Sequence, residues 1–225
     1  MPIIAGIEEA GRGPVIGPMV MAITAVDSKN ESVLREIGVK DSKQLSPKQR
    51  SELFIQLEKI LTTYKVIIIS PEEIDAALKA RNSNLNWLEA DKAVELIKLI
   101  TNTIKIDELY IDCPSTNIES WCSYLKKGLN VKISRLVAEH KADQNYPIVS
   151  AASIIAKVIR DQEIVKLQQK LEVDFGSGYT SDPRTRAFLE DWVKKHKKLP
   201  NFVRKSWITA KKMLEGIKQR KLNGN

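Results

Sequence analysis

Two short apolar runs, Pro2–Ile7 and Ile16–Val26, open the chain, with the turn Gly11–Pro18 between them. Runs of this length bounded by Gly and Pro read as buried strands, and the short connection predicts a hairpin. The first run ends on two adjacent carboxylates, Glu8 and Glu9, which lead straight into Gly11-Arg12-Gly13. Any fold for this chain must therefore bring a pair of acids and a cation-bearing glycine turn to the end of a core strand. Carboxylates suit a hard divalent metal. A glycine loop lets backbone N–H groups approach a phosphate closely, and arginine offers a phosphate or hydroxyl a rigid fork of donors. Metal chemistry on a phosphodiester is the first reading. Unrelated surface acids beside an ordinary glycine turn are the alternative.

Strand and helix signals alternate through the rest of the chain. Ser46-Pro47 starts a helix to about Leu61, with serine as N-cap and proline in the first turn. Tyr64–Ile69 is a β-branched run. Ser70-Pro71-Glu72-Glu73 opens a second helix with Glu73 placed as in a capping box. Asn86–Thr103 carries Leu88, Ala93, Leu96, Ile97 and Ile100 at helical spacing. Glu108–Asp112 is a short strand, Asn117–Lys127 a helix, Val131–Val137 a strand, and Ile148–Gln169 a long helix beginning in Val149-Ser150-Ala151-Ala152-Ser153. Phe175–Pro183, rich in Gly, Ser and Pro, is the best boundary, with helices Thr185–Lys195 and Ser206–Leu222 beyond it. The expected architecture is a layered α/β domain over residues 1–182 and a basic helical extension over residues 183–225.

The net charge of +8 is concentrated at one end. Residues 191–225 hold eleven Lys or Arg against two acids, +9, whereas residues 1–190 hold 25 against 26, −1. Such a tail suits a polyanion partner, or it is simply a solvated lysine-rich face. The two cysteines, Cys113 and Cys122, lack the spacing and histidines of a zinc site, which predicts a reduced, cytoplasmic protein. The N-terminus has no signal-peptide pattern and no apolar stretch is long enough to span a bilayer, so no membrane association is expected.

Acids stand at three predicted strand ends: Glu8 with Glu9, Asp112, and Asp143 in Lys141-Ala142-Asp143. Ligand sites in open α/β sheets form beyond strand ends. Four carboxylates converging there raise one another's pKa unless cations compensate. Two metals ~3.5–4 Å apart can stabilise both the attacking and the leaving oxygen of a phosphoryl displacement. One difficulty is that neighbours on a strand face opposite ways, so Glu8 and Glu9 share a site only if the strand bends or ends there.

Gly6-Ile7-Glu8-Glu9-Ala10-Gly11-Arg12-Gly13-Pro14 resembles the opening motif of ribonuclease HII, usually G-I-D-E-A-G-R-G-P. Further matches follow in the family's order: Asp41-Ser42-Lys43-Gln44-Leu45-Ser46, Tyr110-Ile111-Asp112, Glu139-His140-Lys141-Ala142-Asp143, Val149–Val158 and Gly176-Ser177-Gly178-Tyr179. The archaeal type is the most similar. The resemblance implies a ribonuclease H-like fold and hydrolysis of RNA in RNA–DNA hybrids, including single ribonucleotides embedded in DNA, with Mg²⁺ or Mn²⁺ at a two-metal site. It places the metal-binding, catalytic acids on Glu8, Glu9, Asp112 and Asp143. The family has aspartate where this chain has Glu8, which keeps the charge but moves it outward by one methylene. The resemblance also implies that Gly11, Arg12 and Gly13 read the ribose 2′-OH and adjacent phosphates, and that Tyr179 stacks on the sugar at the RNA–DNA junction.

Lys43, Ser150 and Lys157 are further candidates for phosphate contact, the last two near a helix N-terminus. For Ser153 helix capping and close packing are the stronger reading. His140 beside Lys141 could assist proton transfer, with a structural role the stronger reading, and Trp207 among Arg204, Lys205, Lys211 and Lys212 is left between core and nucleic-acid surface. The expected protein is a metal-dependent endoribonuclease cutting 5′ to the ribonucleotide and leaving 3′-OH and 5′-phosphate ends. It is expected to act as a monomer, with a sliding-clamp-type protein as candidate partner. The competing readings are a hybrid binder weakened in catalysis by Glu8, and the sister ribonuclease HIII, whose members usually carry a long N-terminal domain ahead of the catalytic strand.

Overall fold

A computed structural model describes residues 1–40, 42 and 45–222, the last six of these as backbone alone. The chain forms two compact units: Met1–Ala10, Val20–Ile68 and Asn84–Ile159 make the first, and Gly11–Met19, Ile69–Ser83 and Arg160–Asn225 the second.

The first unit is built on a five-stranded sheet. Its strands are β1 (Ile3–Ala10), β2 (Met19–Asp27), β3 (Thr63–Ile69), β4 (Glu108–Asp112) and β5 (Arg135–Glu139), in the order β3-β2-β1-β4-β5. The expected hairpin is present: β1 and β2 run antiparallel from Ile3↔Asp27 to Ala10↔Val20. β4 joins β1 in parallel, and β5 joins β4 in parallel. Both hairpin strands are buried almost throughout, the pattern of strands covered on both faces. The last strand is shorter and later than the predicted Val131–Val137. Its limits are set by its partner, since the ladder runs from Glu108↔Arg135 to Asp112↔Glu139 and residues 131–134 fall before it.

The helices follow their caps. After a short 3-10 turn at Ser28–Asn30 comes α1 (Glu31–Glu36), a six-residue helix too short to leave a periodic signal. α2 (Pro47–Ile60) starts on the full capping box of Ser46 and Gln49. α3 (Pro71–Lys79), α4 (Leu85–Thr101) and α5 (Ile118–Gly128) are capped by the side chains of Ser70, Asn84 and Asn117. α6 (Ala142–Asn145) is a single turn entered through Lys141 in the left-handed region, φ 59°. The long α7 (Pro147–Leu171) follows at once, then α8 (Pro183–His196) and α9 (Ile208–Leu222). Among the described residues no helix is long and apolar enough to cross a membrane.

Two contacts fix the start of α7 on the sheet. A Cβ on Gly6 would lie 2.6 Å from the Ile148 carbonyl carbon and 2.7 Å from Val149 N, so only glycine admits the helix this close. On the neighbouring strand, Thr24 Oγ1 donates to the Ile148 carbonyl at 2.8 Å. Around this seam Ile4, Val20, Ala22, Val26, Ile148, Ala151, Ala152 and Ile155 form one hydrophobic cluster of the first unit's core.

The second unit has its own core of Val15, Ile16, Ile164, Phe175, Leu189, Leu199 and Val203, with Phe188 and Phe202 packed against it. Val15 N–H and Ile16 N–H both donate to the Gly178 carbonyl, at 2.9 and 3.1 Å, and Ile16 bridges Val203. Residues from the start and end of the sequence are thereby stitched together.

Candidate active site

Glu8 and Glu9 lie where two parallel neighbours part. Pairing of β1 with β4 stops at Ile7↔Ile111, whereas pairing of β1 with β2 continues through Glu8↔Ala22, Glu9↔Met21 and Ala10↔Val20. The strand was expected to bend or end at these acids. Instead it continues against one neighbour and leaves the other, opening space at the carboxyl end of β4 where Asp112 stands. Glu8, Asp112 and Asp143 meet there, with one carboxylate oxygen of each within 4.8 Å of the others. Glu8 and Asp143 are buried, at 4% and 3% exposure, and Asp112 is half-buried. Glu9 is half-buried and is an electrostatic neighbour of both Glu8 and Asp112.

Backbone groups orient these acids. The left-handed turn at Lys141 aims its N–H at Asp112 Oδ1, 2.9 Å away, while the single turn of α6 begins and carries Asp143 inward. Ser150 Oγ, in the first turn of α7, donates to the Asp143 carbonyl at 2.5 Å. The expected phosphate ligand Ser150 is thus buried and tied to a carboxylate-bearing residue. His140 Nδ1 lies 2.9 Å from the Cys113 carbonyl, an anchor consistent with a structural role. The Glu8 carboxylate accepts from the N–H of the next residue, Glu9.

Burial, followed by the charges of Glu9 and Asp112, pushes the Glu8 carboxyl well above its usual range. Asp112 is raised to about 6, first by burial and then by Glu9 and Asp143, with N–H donors of Lys141 and Ala142 pulling partly back. An all-oxygen donor set that resists ionisation on its own fits a hard divalent cation, which supplies the missing positive charge. The sign of the pH dependence follows. Protons compete with the cation below the raised pKa of Asp112, so metal binding must strengthen as pH rises through about 6. The rise in melting temperature caused by Mn²⁺ should be small near pH ~5 and grow as pH rises through about 6. An increment independent of pH would contradict this.

The second unit assembles the glycine turn. Gly11 has φ +81°, and a Cβ there would stand 2.9 Å from the Pro18 carbonyl oxygen and 3.1 Å from Arg160 Cγ. A Cβ on Gly13 would stand 3.4 Å from the Tyr179 ring, so Tyr179 lies beside the turn. Tyr179 is 38% exposed, with the Arg160 guanidinium carbon 5.6 Å from its ring centre. Arg160 is buried and donates to the Ser177 carbonyl at 3.0 Å.

Two residues holding this turn were not assigned from sequence. Arg204 belongs to the basic tail yet is fully buried, and its fork donates to the carbonyls of Gly17, Arg12 and Gly11. Trp207 donates its indole N–H to the Gly13 carbonyl at 2.9 Å. The signal was present: Arg204 follows Phe202-Val203 rather than sitting in a lysine run, and Trp207 is three residues on. Elsewhere, Ser42 Oγ lies 2.9 Å from Ser153 Oγ, and Arg50 holds the Ser42 and Leu45 carbonyls at 2.9 and 2.5 Å. Lys43 lies outside the described residues, and Lys157 is half-buried on α7. Both cysteines are free thiols.

A mixed sheet flanked by helices, with carboxylates that could hold a metal ion converging beyond two adjacent parallel strands, defines a nuclease of ribonuclease H-like architecture. The family model for Ribonuclease HII matches residues 5–210. Ribonuclease HII of Pyrococcus furiosus is 48% identical over 220 residues, which are 97% of this chain and 94% of that protein. The crystal structure of ribonuclease H2 from Pyrococcus horikoshii OT3 matches at TM-score 0.87 and 47% identity, covering 96% of this chain and 99% of that one. RNase HII of Archaeoglobus fulgidus, solved in a complex with PCNA, matches at TM-score 0.81 and 41% identity, covering 93% and 96%. The chain belongs to the ribonuclease HII family and is an endoribonuclease.

Proposed function

We propose that the protein hydrolyses the RNA strand of RNA–DNA hybrids and also cuts 5′ to ribonucleotides embedded in duplex DNA, leaving 3′-OH and 5′-phosphate ends. The observation that carries this reading is the convergence of Glu8, Asp112 and Asp143 within 4.8 Å, in surroundings that raise the Asp112 pKa to about 6. These three and Glu9 are the residues that would hold Mg²⁺ or Mn²⁺. A bound divalent cation supplies an acidified water and neutralises charge at phosphorus. The protein's part is to fix the ligands. Lys141 N–H sets the orientation of Asp112, Ser150 holds the backbone at Asp143, and Gly6 seats the helix that carries Ser150. Gly11, Arg12 and Gly13 read the 2′-OH, the group that separates RNA from DNA. Tyr179 stacks on the neighbouring sugar, while Lys43, Ser150 and Lys157 remain candidates for phosphate contact.

On the same reading residues 1–182 form the catalytic part and residues 183–225 the basic extension that adds affinity for the duplex. The protein works as a cytoplasmic monomer. The PCNA complex of the Archaeoglobus fulgidus relative supports a sliding-clamp partner for this chain as well.

The test is cleavage, with Mg²⁺ or Mn²⁺ added, of two duplexes: a continuous RNA–DNA hybrid and a DNA duplex with one ribonucleotide. Cutting of both, with the second cut 5′ to the ribonucleotide, is the expected result; an intact second duplex would overturn the embedded-ribonucleotide reading. Tyr179→Ala should lose about tenfold more activity on the single-ribonucleotide duplex than on the hybrid, since one stacking contact amounts to ~1–3 kcal/mol. Equal losses would reduce Tyr179 to a packing residue.

A further inference from the structure

We infer that Arg204, with Trp207, is a positioning residue that shapes the Gly11-Arg12-Gly13 turn for sugar recognition, an assignment that rests on the ribonuclease reading above. The guanidinium of Arg204 spends its fork on backbone carbonyls: Nε donates to Gly17 O at 3.1 Å, Nη1 to Arg12 O at 2.8 Å and Nη2 to Gly11 O at 2.6 Å. Trp207 takes the next carbonyl in line, Gly13 O, at 2.9 Å. Its ring also lies beside the guanidinium, with the Arg204 carbon 4.8 Å from the ring centre. Three successive carbonyls of the turn are thereby drawn to one side.

The geometry of the peptide unit supplies the consequence. In a trans peptide the C=O of one residue and the N–H of the next point in opposite directions. Holding the Gly11 and Arg12 carbonyls inward therefore directs the N–H groups of Arg12 and Gly13 away from Arg204. Two consecutive N–H groups turned to the side away from Arg204, with φ +81° at Gly11, give the turn a backbone shape that suits an oxygen-rich ligand such as a ribose hydroxyl and its phosphate. Tyr179 lies beside this turn at Gly13. The cation is also placed to act at a distance: Arg204 is fully buried and its fork ends on carbonyls rather than on a carboxylate, so a fixed positive charge stands behind the loop. Burial, followed by the nearby charge of Arg160, lowers its pKa to about 9, which leaves it cationic at neutral pH.

A rival account makes Arg204 only a core residue of the second unit, and binding separates the two. Affinity is measured without added metal, in EDTA so that nothing is cut, for a duplex with one ribonucleotide and for the same duplex in DNA alone, at one salt concentration. The full-length wild type should prefer the ribonucleotide duplex. Arg204→Lys keeps the charge and loses the fork; it should weaken binding of that duplex by about tenfold, while binding of DNA alone changes by less than about twofold. Trp207→Phe keeps the ring and removes one donor, and should show the same selective loss at about threefold. Equal losses on both duplexes, or an undiminished preference in Arg204→Lys, would overturn the inference. If Arg204→Lys does not fold, Trp207→Phe decides: retained preference there also overturns it. A wild type with no preference between the duplexes would instead sink the recognition reading on which the inference stands.

Discussion

Asp112→Asn should lower turnover on an RNA–DNA hybrid by about 10³-fold or more and at the same time raise the melting temperature of the metal-free protein. The first effect follows from the site. Asp112 meets Glu8 and Asp143 within 4.8 Å, and an amide oxygen in its place is a weaker ligand carrying no charge for a divalent cation. The second has the opposite sign. The Asp112 pKa of about 6 against an ordinary 3.8 means that its ionised form opposes folding at neutral pH when no cation is bound. The full shift corresponds to ~3 kcal/mol, and solvent screening of this half-buried group leaves roughly 1–2 kcal/mol. Removing the charge should then raise the melting temperature by about 2–6 °C for a chain of this size. Cleavage assays and thermal melts in EDTA check both halves. Turnover like that of the wild type would sink the assignment of Asp112 as a ligand, and a lower melting temperature would show that the acids do not strain the apo site.

Gly6→Ala should destabilise the protein by about 3 kcal/mol or more. The added Cβ would meet backbone atoms of Ile148 and Val149 at 2.6–2.7 Å, and backbone cannot swing aside as a flexible side chain can. The start of α7 must move, and with it Ser150, which holds the Asp143 carbonyl. Activity of whatever folds should fall as well. Urea unfolding measures the first effect. Gly216→Ala, where an added Cβ meets nothing within 4 Å, is the matched control and should be neutral or stabilising by up to about 1 kcal/mol. A Gly6→Ala protein within about 1 kcal/mol of the wild type would show that the helix has room to shift.

What could be read from sequence was local. Serine helix starts, the hairpin and the strand Glu108–Asp112 each rest on neighbours a few residues away, and all formed nearly where expected, whereas the asparagine caps of α4 and α5 were not read. The acids at the strand ends were visible for the same reason. How Glu8 enters the site was not, because it depends on the β1–β4 ladder stopping at Ile7↔Ile111, a pairing about a hundred positions long-range. α6 carries Asp143, yet it is one turn entered through a left-handed lysine, a conformation no propensity favours. The tie from Ser150 to Asp143 was equally out of sight, because its acceptor, a backbone carbonyl, has no signature in composition. Arg204 was hidden by its company: counted with the tail's cations it suggested solvent and polyanions, whereas its partners are carbonyls at the other end of the chain.

That last pairing also orders events in the life of the chain. The carbonyls of Gly11 and Arg12 are among the first made during synthesis, and the side chain that takes them up lies 193 and 192 residues later. Closing a loop of that length carries a large chain-entropy cost, and synthesis proceeds at roughly 5–20 residues per second. Almost the whole chain must therefore leave the ribosome before the glycine turn can take its final shape, so a nascent chain can hold its acids long before it can hold the turn.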